Sequence, residues 1–129
     1  MYIFNKITAI AVGALISLID ATKYESVTEV YDSGDNIIGY KNTKILMTGE
    51  CLIRLYTIIP YDNNKNATGV CEITTTAKDG SETGSMKIHV EVDDHGYGFR
   101  SPIISVSDAI IDNINDNSEA IVNALKSVI

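Results

Sequence analysis

A chain of 129 residues, 45% of them apolar, can bury one hydrophobic core without metals or staples and is too short for two ordinary domains. Its formal net charge of −7 repels phosphate backbones, and the ten Lys and Arg residues are scattered rather than gathered in a stripe, which argues against a nucleic-acid partner. Cys51 and Cys71 are too few for a disulfide framework and lack the CxxC or Cys/His spacing of a zinc site, so neither a metal nor a cofactor is expected.

Residues 3–19 read as a helix that is apolar nearly all round, interrupted weakly by Thr8, Gly13 and Ser17. Its apolar run, Ile7 to Ile19, is shorter than the about 20 residues that a spanning helix needs. A cleaved signal peptide is the competing reading, with Lys6 before the run and Ala21 after it. Ile19, where a small residue is wanted, and the single-lysine head favour a retained, buried helix. A helix with this perimeter must be covered on most sides. One sheet face cannot hide it all, so contact with another subunit is expected.

Residues 24–32 and 37–47 form a hairpin around Ser33-Gly34-Asp35-Asn36, where Gly and Asn accept positive φ. Thr48-Gly49 turns the chain into a strand over 50–59, ended by Pro60 and a polar loop. Two further strands, 67–77 and 82–93, flank Asp79-Gly80, the strongest hairpin signal in the chain. After the glycine-bearing loop 93–102, Ser105 or Ser107 can cap a helix. Ile110, Ile114, Ile121, Leu125 and Val128 share one face of it. Asn115 to Ser118 interrupts the pattern, either as a polar patch or as the start of a second helix.

The middle of the chain fixes its own register. A two-residue turn at Asp79-Gly80 sets Ile73 opposite Met86, Cys71 opposite Ile88 and Glu72 opposite Lys87. The preceding hairpin sets Ile53 opposite Ile73 and Arg54 opposite Glu72. A slip of one residue would turn a whole apolar side to water. In this register Cys51 lies opposite Thr75 and Cys71 opposite Leu55, about 13 Å apart along the strands. That is beyond the about 7 Å that a disulfide can bridge between Cα atoms. The expected architecture is one α+β domain over 1–129, with an apolar helix at 1–20, an antiparallel meander of about five strands over 24–93 and a C-terminal helix over 106–128.

The densest chemistry lies in the 93–102 loop, where Asp94, His95, Tyr97 and Arg100 are candidates to bind a ligand, the first two as acid, base or metal ligand and Arg100 as an anion contact. The competing reading is a solvated connection whose glycines take positive φ. Spacing such as Asp93-Asp94-His95 matches neither a metalloprotease helix nor a calcium loop. His89 is expected on the outer face, opposite Val70, as an ordinary surface histidine. Asn66-Ala67-Thr68 matches a glycosylation acceptor, a tripeptide that chance produces often.

The outer face of the meander carries Leu52, Tyr56, Ile58 and Val70 beside its charges, more apolar than a solvated face should be. Either the helices lie on both faces of the sheet, or both lie on one face and the other serves association. No nucleophile–base pair, phosphate loop or metal spacing appears in the sequence. The first reading is therefore a non-catalytic structural or interaction protein that self-associates, such as a subunit of a viral or other assembly. A further protein partner is compatible with it. Ile10, Leu15, Leu18, Tyr56 and Ile58 are its interface candidates. A small-ligand or protein-inhibitor domain using the 93–102 loop comes second and a small enzyme third. A soluble location, inside the cell or within a particle, is favoured over secretion.

Overall fold

The computed structural model describes residues 2–22, 28–61, 66–76, 83–92 and 102–129. Helix α1 (Tyr2–Thr22) is followed by strands β1 (Thr28–Tyr31), β2 (Ile37–Thr48), β3 (Cys51–Pro60), β4 (Ala67–Thr76), β5 (Thr83–Val92) and β6 (Ile103–Val106). A 3-10 turn (Asp108–Ile110) then leads into helices α2 (Ile111–Asp116) and α3 (Ser118–Lys126). The six strands lie side by side in chain order, all antiparallel. The α+β meander expected from sequence is thus present, with one strand more than anticipated.

The register of β3 to β5 is the one that charge and apolar pairing dictate. Ile53 lies opposite Ile73, Arg54 opposite Glu72, Glu72 opposite Lys87 and Ile73 opposite Met86. Strict alternation then buries Cys51, Ile53, Leu55, Cys71, Ile73, Met86, Ile88 and Val90 on one face. The extra strand, β6, pairs Met86 with Val106 and Ile88 with Ile104. Ser105 is therefore a strand residue, and Ser107 precedes the 3-10 turn without a side-chain cap.

Two turns differ in detail from the sequence reading. In the first, Asp35 rather than Gly34 or Asn36 takes the left-handed conformation, at φ 62°. Asp32 makes this tolerable: the Gly34 and Asn36 amides donate to its Oδ1 at 2.8 and 3.0 Å, closing the loop locally. In the second, Thr48 pairs with Cys51, so the turn residues are Gly49 and Glu50, with Gly49 at φ 50°.

The helices all serve the same side of the sheet. Leu15 of α1 rests on Gly69 of β4, where an added Cβ would lie 3.3 Å from the leucine side chain. Ile110 rests on Gly84 of β5 in the same way. The C-terminal helical segment breaks at Asn117, whose side-chain amide donates to the Asn113 carbonyl at 2.8 Å. It is thus two helices, and the break lets α3 run alongside α1. Ile114, Ile121, Val122 and Leu125 join Ile7, Ala11, Leu15 and Leu18 in one continuous core.

This arrangement answers how an all-round apolar helix is hidden. One flank of α1 faces the sheet, a second faces α3, and Ile129 approaches Gly13 from the chain's end. Lys6, Ala9 and Asp20 are exposed. The cover that the sequence reading sought in a neighbouring subunit is supplied by α3 of the same chain.

Candidate functional site

Of the residues singled out from sequence, Asp94, His95, Tyr97 and Arg100 lie outside the described residues. The interface candidates separate by element. Leu15 and Leu18 are buried within the chain's own core, and Ile10 is half-buried against it. Tyr56 and Ile58 stand on the outer face of β3, half-buried and 38% exposed respectively.

That outer face is the surface with most to offer a partner. Because every helix lies on the inner side, among the described residues no element covers it. The pairing of β2 to β6 arranges its side chains in rows across the sheet. One row runs Ile45, Arg54, Glu72, Lys87, Ser105. The next runs Thr43, Tyr56, Val70, His89, Ile103. On the other side of the charged row lie Met47, Leu52, Thr74 and Ser85, and beyond the aromatic row lie Lys41, Ile58, Thr68 and Glu91.

Several of these apolar side chains are largely in water: Met47 is 80% exposed, Ile103 69% and Ile45 59%. Leu52, Tyr56 and Val70 between them are half-buried by their neighbours. Ile45 and Met47 escaped the sequence reading because the alternation in β2 is mixed. The signal was present: in Ile45-Leu46-Met47, three apolar residues in one strand must place the outer two together, opposite the middle one. Leu46 takes the core side.

The charges on this face are balanced. Lys87 Nζ lies 3.4 Å from Glu72 Oε2, and Arg54 stands opposite Glu72 in the β3–β4 register. Among the described residues, Lys41, Arg54 and Lys87 stand in these rows with Glu72 and Glu91, and Glu50 adjoins Met47 and Leu52 at the β2–β3 turn, on a chain whose net charge is −7. The acid excess lies elsewhere. His89 is opposite Val70 as expected, yet it is not an ordinary surface histidine, since its Nε2 is shielded from solvent and makes no hydrogen bond.

Other places have less to work with. Cys51 and Cys71 are free and buried, at the predicted register positions opposite Thr75 and Leu55. Burial raises the Cys51 thiol above its ordinary value and pushes Cys71 up to about 12, so neither is a thiolate near neutral pH. Among the described residues no group of three or more His, Cys, Asp or Glu side chains could hold a metal ion, and no helix is long and apolar enough to cross a membrane. A depression of about 240 Å³ beside the β2–β3 turn is lined by Met47, Glu50, Cys51 and Thr75, smaller than an ordinary ligand cleft. A second, of about 360 Å³ between α1 and α3, is lined by Lys6, Glu119, Asn123 and Lys126 and lacks the apolar lining of a ligand pocket.

No family model, no curated protein and no solved structure matches the chain.

Proposed function

We propose that this chain is a non-catalytic interaction protein that associates with a second copy of itself through the outer face of its sheet. The observation that carries the reading is the uncovered apolar surface on β2 and β3, above all Ile45 and Met47 at 59% and 80% exposure. Contiguous apolar surface on an otherwise folded chain marks an interaction site, and the solvated face of an antiparallel sheet is ordinarily more polar than this one.

A second copy fits this face for two reasons. Among the described residues the face is close to neutral, so two copies can approach there with less of the repulsion that −7 on each chain would otherwise bring. Its size is also suitable. Ten-residue strands are about 33 Å long and four of them span about 19 Å. With the short edge strands added, this plate approaches the about 800 Å² per partner of a standard stable interface.

The test is to replace Ile45 and Met47 together by lysine and compare sedimentation velocity with the parent chain. The parent is expected to sediment as a dimer at micromolar concentration and the variant as a monomer of unchanged thermal midpoint. A parent chain that sediments as a monomer would overturn the proposal, as would a variant that dimerises like the parent.

A further inference from the structure

We infer that the two copies are related by a two-fold axis running parallel to the strands, over the midline between β3 and β4, so that Arg54 of each copy meets Glu72 of the other. The inference rests on the self-association proposed above and adds its geometry.

Two identical faces that pack against each other by a two-fold rotation must do so about an axis lying in the interface plane, because only such an axis reverses the face normal. Among the simplest placements of such an axis, the side-chain rows favour one. An axis across the strands, along the charged row, would set Arg54 on Arg54, Glu72 on Glu72 and Lys87 on Lys87. Moved by half the spacing between rows, it would lay those charges on Tyr56, Val70 and His89, burying them with no new partner across the interface. An axis parallel to the strands between β4 and β5 pairs Glu72 with Lys87 of the other copy. It also moves β2 past the partner's edge and leaves Ile45 and Met47 in water.

The midline axis pairs the charged and aromatic rows of β3 and β4. It keeps each row at its own level and exchanges β3 with β4 and β2 with β5. Arg54 then faces Glu72, Tyr56 faces Val70, and Lys41 faces Glu91, each twice per dimer. The six strands have their centre at this line, so overlap of the two sheets is greatest there. Ile45 falls over the aliphatic stem of Lys87, whose ammonium can still reach the rim. The result is an aligned two-sheet sandwich with both helical layers outside.

The experiment exploits the fact that charge reversals on different chains can complement each other. Arg54→Glu alone sets like charges together twice per dimer and is expected to weaken association by about 100-fold or more, as is Glu72→Arg alone. An equimolar mixture of the two variants restores both contacts, and a heterodimer is expected near the parent affinity. Within one chain Arg54 and Glu72 are cross-strand neighbours, so a second pair separates the contact between copies from the contact within one. Lys41 and Glu91 are three strands apart, about 14 Å, and cannot pair within a chain. Lys41→Glu and Glu91→Lys are likewise expected to weaken association singly and to complement when mixed. Analytical ultracentrifugation of each variant and each mixture reads the outcome, with circular dichroism checking the fold. A monomeric parent chain would overturn both the self-association and this geometry. A dimeric parent whose single variants dimerise normally, or whose mixtures fail to complement, would overturn the midline axis alone.

Discussion

Replacing Gly84 by alanine tests whether the C-terminal helical segment is seated directly on β5. A Cβ at that position would lie 2.3 Å from Ile110 Cγ2 and 3.0 Å from Ser107 Oγ. Carbon atoms in contact prefer about 3.5–4.0 Å, so the overlap exceeds roughly 1 Å. Ile110 is 1% exposed, and its branched Cγ2 is attached one bond from the backbone axis, so it cannot swing aside as the end of a long side chain would. Overpacking of this kind costs about 1–3 kcal/mol, while alanine recovers about 0.5–1 kcal/mol by restricting the unfolded chain. The expected net loss is therefore about 1–2 kcal/mol. In a urea titration it should appear as a lower midpoint with an unchanged slope. In the Ile110→Ala background, which removes the obstructing methyl, the same change should cost little or become favourable. A Gly84→Ala chain as stable as the parent, or an equal cost in both backgrounds, would refute this seating of the helices on the sheet.

Three further outcomes are expected. The Cys71 thiol keeps its proton up to about 12 in the folded chain, whereas an unfolded cysteine releases it near about 8.5. Its contribution is whole below that value and falls by about 1.4 kcal/mol per pH unit as the pH rises towards the folded pKa, so urea midpoints at pH 8 and 10 should diverge more for the parent than for Cys71→Ala. Equal divergence would show that the thiol is solvated. Thr57 is fully buried with an unpartnered hydroxyl, and Thr57→Val should raise stability by about 1 kcal/mol; a loss by thermal unfolding would mean that the hydroxyl is bonded. The Asn36 and Gly34 amides hold the Asp32 carboxyl below its usual range, so the turn's contribution is present above the ordinary carboxylate pKa and is lost as pH falls through the lowered one. The Gly34 and Asn36 amide resonances should titrate below about 3.9, and a midpoint above it would contradict the turn geometry.

What was legible in the sequence follows from period and charge. In β3 to β5 strict alternation and opposite charges at matching places leave one register, and Arg54 with Glu72, Glu72 with Lys87, Ile53 with Ile73 and Ile73 with Met86 are found in it, while the Asp79-Gly80 turn lies outside the described residues. The tertiary partners of the helices were not legible in the same way. Periodicity shows that α1 needs cover but not which element provides it, and α3 reaches it only because the chain breaks at Asn117. Strand β6 is four residues long and pairs at one edge, too short for alternation to be read. The candidate surface was half legible. Tyr56 and Ile58 announce themselves in a strand of known register, whereas Ile45, Met47 and Ile103 lie on strands whose pattern is mixed or brief.

Self-association requires that the outer face of the sheet meet its own copy. Light scattering on the full chain, through a dilution series from about 100 µM to well below 1 µM, measures that most directly, with affinities in this range corresponding to an ordinary interface. The predicted mass is twice the chain's 14.0 kDa in the upper part of the series, falling towards 14.0 kDa only on dilution. A mass of 14.0 kDa at every concentration would contradict the central claim.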